Sequence, residues 1–269
     1  MDIRQLARGS VEWDRLERVA RTLADRYDRE VVRVEFLPAD NWLSTPMVVD
    51  DEFFVKVVSR QNAFVQTLLS TGRNVGALVS GTVGFFGRFD TPRAMVEHEF
   101  EATRRMREIG LNVPRPIDAF EANGLGVLVL EYLPSYRTLD ELEDAEVRSV
   151  ADELVGMLAT LHGHGLAHGD LRATNVLLCD GELYFIDATN VDPARQREAA
   201  GYDLACALAI LAPRVGSRQA VEIAGEHYDA DTLVAAREFL DFVGLRPDHG
   251  FDATRLRSEV EKAAAHAEG

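Results

Sequence analysis

Apolar positions recur along this chain with two different periods. Trp13, Leu16, Ala20, Leu23 and Tyr27 fall on one helical face. Ser10 stands where a helix cap is expected, Glu12 suits the positive end of the same helix, and the pattern carries it to about Arg26. Strand-like runs follow at Val31 to Leu37, Met47 to Val49 and Phe53 to Val58, with Asp50-Asp51-Glu52 as an acidic turn between the last two. Gln61 to Ser70 reads as helical, with Gly72 near its cap. Val75 to Gly87 is uncharged, apolar and punctuated by glycine. Thr91-Pro92 then opens a helix by cap and first-turn chemistry, and Gly110 ends it after Ile109.

The second half reads differently. Val127 to Leu133 is a continuous apolar strand that Pro134 stops. Val147, Val150, Leu154, Leu158 and Leu161 form a helical stripe ending at His162. A polar loop, His168 to Asn175, leads into the apolar run Val176-Leu177-Leu178. Asp180-Gly181 is a hairpin signal, and Tyr184-Phe185-Ile186-Asp187 returns from it. Asp203 opens an apolar helix, Leu204 to Leu211, and helices at Leu233 to Val243 and Thr254 to Ala265 close the chain.

Two stretches carry candidate chemistry. The hairpin brings Asp187 back toward the loop that holds Asp170 and Asn175. Two carboxylates and an amide in one place suit an enzyme that orients an acceptor hydroxyl and holds Mg²⁺ against phosphates. Lys56 stands inside the β-branched and aromatic run Phe53 to Val58, where a buried charge needs an anionic partner. His162, His164 and His168 do not share a zinc-ligand spacing with any cysteine or carboxylate.

His168-Gly169-Asp170-Leu171-Arg172-Ala173-Thr174-Asn175 resembles the H-x-D-x-x-x-x-N catalytic loop of the protein-kinase-like superfamily, and Ile186-Asp187 resembles the start of its metal-binding D-F-G. The resemblance covers roughly Val31 to Leu211. It implies a two-lobed α/β (α+β) fold: a small sheet-bearing lobe, residues 1–130 with an apolar insertion at about 61–90, then a hinge and a mostly helical lobe, residues 131–269. It implies Mg²⁺-dependent transfer of the ATP γ-phosphoryl group to a hydroxyl. Asp170 would take or orient the hydroxyl proton, with Arg172 stabilising charge and His168 at the head of the loop. Asn175 and Asp187 would hold Mg²⁺. Lys56 would contact phosphate, steadied by Glu99, with Glu97 and Glu101 as alternatives. Leu130 would back the adenine pocket, and backbone groups of Glu131 and Leu133 would meet its edge. Asp203 would bond the backbone of the catalytic loop.

Three departures from the family pattern refine this reading. Where kinases carry a glycine-rich phosphate loop, this chain has Ala39 to Thr45 without glycine, leaving Ser44, Thr45 and backbone amides as phosphate contacts. Phe54 stands where alanine usually meets the adenine. Gly169 replaces the arginine of H-R-D, and the segment after Asp187 is short with no A-P-E, so classical activation-loop phosphorylation is not expected. His-Gly-Asp-Leu and this short segment are most similar to the minimal branch: RIO-type kinases, the small kinase of the archaeal KEOPS complex and lipopolysaccharide-core kinases. An atypical RIO-like serine/threonine kinase is the leading expectation. A small-molecule kinase of the aminoglycoside-phosphotransferase type, a nucleotide-binding pseudokinase and a partner-driving ATPase are the alternatives.

Composition adds little chemistry but sets limits. The 269 residues carry a formal net charge of -16, and only Lys56 and Lys262 are lysines. The acids are spread along the chain, which fits a salty cytoplasm where a Debye length of about 3 Å at 1 M salt screens self-repulsion. There is no basic stripe for nucleic acid and no apolar run long enough to span a membrane. With no signal-peptide core at the N-terminus, a cytoplasmic protein is expected. The expected partners are ATP and a protein or small-molecule hydroxyl acceptor.

Overall fold

A computed structural model describes residues 11–37, 44–59, 91–188, 195–246 and 249–267. The helix read at Gln61 to Ser70, the apolar insertion and the loop from Ala39 to Leu43 lie outside these residues. So does the cap expected at Ser10.

The chain divides into two compact units. The first holds helix α1 (Trp13–Arg26), strands β1 (Val34–Phe36), β2 (Thr45–Val49) and β3 (Phe53–Val58), most of helix α2 (Pro92–Glu108), and strands β4 (Pro116–Ala122) and β5 (Leu125–Glu131). The five strands form one antiparallel sheet in the order β1-β2-β3-β5-β4. Its hairpins turn where the backbone takes positive φ: Asp50 and Asp51 at 55° and 56°, and Asn123 and Gly124 at 53° and 73°. This is the primed-turn geometry that Asx and glycine tolerate best. Asn123-Gly124 joins β4 to β5, a strand pair of which the apolar pattern announced only the second member.

Alternation along β3 gives the sheet two different faces. Phe53, Val55 and Val57 pack with Val19, Leu23, Met47, Val49 and Val129 beneath α1. On the opposite face, Phe54 and Val58 pack with Met95, Val96, Leu128 and Leu130 beneath α2. Lys56 therefore points toward α2. Gly126 of β5 permits this packing, because a Cβ there would meet the Pro92 carbonyl oxygen at 2.4 Å. Thr91 caps α2 as expected, its Oγ1 accepting the Ala94 N–H at 3.1 Å.

Two expectations need correction here. Trp13 is 68% exposed and lies beside Phe36 rather than in the core, with ring centroids 5.8 Å apart; Val19, Leu23 and Ala24 form the buried face of α1. The first strand is short because Val31 is exposed, and only Val34–Phe36 pairs with β2.

The second unit holds Met106–Val113 and the chain from Ser135 onward. The first unit keeps the chain as far as Pro134, and the Tyr132 N–H bonds the Glu52 carbonyl at 3.0 Å. A small antiparallel sheet, β6 (Arg137–Thr138), β7 (Val176–Cys179) and β8 (Glu182–Phe185), sits with helices α3 (Asp144–Gly163), α4 (Gln196–Val215), α5 (Ser217–His227), α6 (Ala230–Gly244) and α7 (Ala253–Ala267). The α3 stripe is buried as its spacing requires.

Helix α4 begins well before Asp203, so that residue lies inside the helix rather than at its start. Gly201 here is a packing residue, not a breaker. A Cβ on it would lie 3.3 Å from both Ala235 and Phe239 of α6. Nearly every residue of α4 from Ala199 to Ala212 is buried, which makes it the central helix of this unit.

Candidate active site

In the first unit Lys56 and Glu99 meet directly. Lys56 Nζ donates to both carboxylate oxygens of Glu99 at 2.9 Å, and each residue is only 6% exposed. The choice among three glutamates follows from helix phase. Met95, Val96, Glu99, Thr103 and Met106 form the buried face of α2. Glu97 faces outward and pairs with Arg93, while Glu101 pairs with Arg104 and Arg105. An ion pair so buried costs desolvation that a hydrophobic pair would not.

Phe54 is partly buried opposite Leu130, its cross-strand partner. Its ring completes the apolar cluster around Leu130 on the Lys56 face of the sheet. Ser44 is buried and Thr45 begins β2 opposite Val57. The Glu131 N–H is spent on the Arg115 carbonyl at 2.9 Å, and the Glu131 side chain accepts the Arg115 N–H at 3.1 Å. An adenine contact at Glu131 is therefore confined to its carbonyl. Leu133 lies two residues past the end of β5 and is partly buried.

In the second unit the loop before β7 is held from three directions. Asp203, fully buried, accepts the His168 N–H on Oδ2 at 2.6 Å and the Gly169 N–H on Oδ1 at 2.8 Å. Its Oδ2 also lies 3.2 Å from His162 Nε2, and His162 Nδ1 lies 2.8 Å from the Tyr228 hydroxyl. Burial pushes the Tyr228 hydroxyl well above its ordinary range, so it stays a neutral donor. The proton of His162 then belongs on Nε2, pointing at Asp203.

Asn175 ties the acidic groups together. Its Nδ2 donates to the Asp170 carbonyl at 2.9 Å, and its own carbonyl accepts the Ile186 N–H at 3.1 Å. The hairpin register, Val176 opposite Phe185, carries the chain straight from Ile186 into Asp187. Asp187 has φ of 59°, a left-handed conformation that aspartate tolerates better than most residues. With Nδ2 committed, Asn175 keeps Oδ1 for a cation. An amide oxygen beside a carboxylate is the hard donor set that Mg²⁺ takes when phosphates supply further ligands. Among the described residues no trio of His, Cys, Asp or Glu could hold a metal alone.

The Asp170 carboxylate accepts two arginines. Arg172 Nη2 lies 3.1 Å from Oδ2 and Arg246 Nη2 lies 3.2 Å from Oδ1. Arg172 is thus turned onto Asp170 itself. His168 is fully buried, with its ring edge-on to Phe185 at 5.5 Å. Burial lowers its pKa, against the opposing pull of Asp203, Asp170 and Asp187, and keeps it neutral. Complete burial suits His168 to bracing the loop rather than to contact with a substrate. Arg246, Tyr202, His162 and Tyr228 were not singled out for this site from the sequence. Only Tyr202 carried a signal, a polar group beside Asp203 in an otherwise apolar helix.

Residues 87–202 match the family model described as RIO domain, less than half of the 269-residue chain. That span includes Glu99, Asp170, Asn175 and Asp187 but not Lys56. The chain resembles the RIO-type branch of the protein-kinase-like superfamily. Over 109 residues, 39% of this chain, it is 34% identical to the KEOPS complex subunit Bud32 of Pyrococcus abyssi, covering 49% of that relative. Over 99 residues, 35% of this chain, it is 35% identical to the RIO-type serine/threonine-protein kinase Rio1 of Haloferax volcanii, covering 33% of it. The chain thus spans half or less of the length of these curated relatives. Among solved structures, the Mycobacterium tuberculosis PknI kinase domain aligns over 87% of this chain and 96% of its own. The identity is 15% and the TM-score 0.45, so that likeness carries no argument.

Proposed function

We propose that this protein is an ATP- and Mg²⁺-dependent phosphotransferase of RIO type that moves the γ-phosphoryl group to a serine or threonine hydroxyl. The observation that carries the reading is Asn175: its side chain bonds the Asp170 carbonyl while its backbone bonds Ile186, next to Asp187. One residue thereby fixes the spacing between an acceptor-orienting carboxylate and a metal-binding carboxylate. The Lys56–Glu99 pair supplies the fixed cation that phosphate oxygens require. Mg²⁺, when bound, would neutralise the phosphates of ATP.

Asp170 accepts charge-assisted bonds from two arginines, which fix its carboxylate as an orienting acceptor. That suits a loose transition state in which little proton transfer has occurred. Asp170 would then orient the hydroxyl rather than strip it early. The test is transfer of labelled γ-phosphate to the protein itself and to a serine-rich protein acceptor, with and without Mg²⁺. Asp170→Asn should lower turnover by about 10²–10⁴-fold while nucleotide binding persists. ADP release without a phosphorylated product would point to an ATPase instead. Full activity in the variant would remove Asp170 from the mechanism.

A further inference from the structure

The two arginines on Asp170 differ in origin and in freedom. Arg172 belongs to the same loop, and its side chain is 34% exposed. Arg246 arrives from just beyond the end of α6, and its side chain is 11% exposed. Its Nη1 donates to the Tyr202 hydroxyl and lies 3.9 Å from Cys206 Sγ. Burial pushes the Cys206 thiol up to about 12, so it faces Arg246 as a neutral group. Tyr202 is fully buried, and its ring meets Phe239 and Phe242 of α6 with centroids 5.9 and 5.8 Å away. Tyr202 and Asp203 are neighbours on α4. One binds the loop backbone directly, and the other reaches the Asp170 carboxylate through Arg246.

We propose that Arg246 is a positioning residue that fixes the rotamer of Asp170. By holding Oδ1, it sets the direction of Oδ2 before an acceptor arrives. Its guanidinium is planar, and with Nη1 engaged by Tyr202 the rotation of Nη2 is restricted, so the grip on Oδ1 is directional. Arg172 shares the hold, with Nε and Nη2 each 3.3 Å from Oδ1, but it is more exposed and belongs to the same loop as Asp170, so it cannot anchor the carboxylate to a separate element. This contact reaches Asp170 from 76 residues further along the chain. The part played by Arg246 in turnover rests on the phosphotransfer reading; its hold on Asp170 does not.

The test compares the parent with Arg246→Met, Arg246→Lys, Asp170→Asn and the double variant R246M/D170N. In crystals of Arg246→Met the Asp170 carboxylate should leave its parental position. The denaturation midpoints should be non-additive, the double variant losing less than the two single variants together. Turnover in Arg246→Met should fall by about 10²-fold, the cost of misplacing a reacting group by about 1 Å, with KM for ATP unchanged. Arg246→Lys keeps the charge but loses the fork, so it should restore stability more fully than turnover. If Arg246→Met does not fold, Arg246→Lys decides by the same two readouts, carboxylate position and turnover. An unmoved Asp170 carboxylate, or additive midpoints, would overturn the proposal. Failure of the parent to transfer phosphate would overturn the phosphotransfer reading alone, because carboxylate position and midpoint coupling are read without activity.

Discussion

Asp203 Oδ1 accepts the backbone N–H of Gly169 at 2.8 Å, tying the middle of a buried helix to the loop that presents Asp170. The second oxygen accepts the His168 N–H, so one carboxylate satisfies two consecutive buried amides. Asp203→Asn puts an amide NH₂ where an acceptor is needed and leaves a buried N–H unpaired. Chemical denaturation should show a loss of about 3–5 kcal/mol, the cost of breaking a buried charged network at one member. A midpoint equal to the parent's would mean that the loop is held by other contacts.

The Lys56–Glu99 pair predicts a thermodynamic cycle. Glu99→Leu leaves a buried ammonium without its counter-charge, and Lys56→Met leaves a buried carboxylate. Each single variant should lose about 3–5 kcal/mol if it folds with the remaining group charged. The double variant Lys56→Met, Glu99→Leu should recover most of that loss, since no charge is then buried. Equilibrium unfolding of all the variants checks this, and a double variant as unstable as both singles combined would contradict it.

Asp187 sits at positive φ, which decides how it should be tested. Alanine there would add backbone strain to the loss of the carboxylate, whereas asparagine tolerates the conformation. Asp187→Asn should therefore keep the parental unfolding midpoint yet lose Mg²⁺-dependent ATP binding in calorimetric titration. Retention of Mg²⁺-dependent affinity would move the metal site elsewhere.

Buried, neutral His168 makes stability depend on pH. Its folded pKa lies below the ordinary 6.5 because desolvation disfavours the cation. The unfolded chain therefore binds a proton that the folded chain refuses as pH falls through about 6.5. Stability from this group is fully present above that pH and declines below it. Denaturation midpoints at pH 7.5 and pH 5.5 should differ less in a folded His168→Gln variant than in the parent. An equal pH slope in both proteins would assign the acid sensitivity to other groups.

Much of this protein was decided within short stretches of chain. Turn chemistry placed Asp180-Gly181 and hence the return of Asp187, because only a few residue types accept positive φ. Helical period placed Glu99 on the buried face of α2, where Lys56 needed an anion, and the α3 stripe followed its spacing into the core. Asn123-Gly124 carried an equally local signal for β4. These features are legible because backbone geometry and side-chain period act over a few residues.

Tertiary structure alone decided what joined distant stretches. The apolar pattern opens a helix at Asp203, yet the helix begins at Gln196 and carries Gly201 inside it, where a Cβ would lie 3.3 Å from Ala235 and Phe239 of α6. His168 looks catalytic beside Gly169-Asp170, yet complete burial makes it a brace. Arg246 is one arginine among many with no motif around it. Its meaning comes from Tyr202 and Asp170, which lie 44 and 76 residues away in the chain. A buried charge is specified by the partner that neutralises it, and packing rather than local sequence brings that partner within reach.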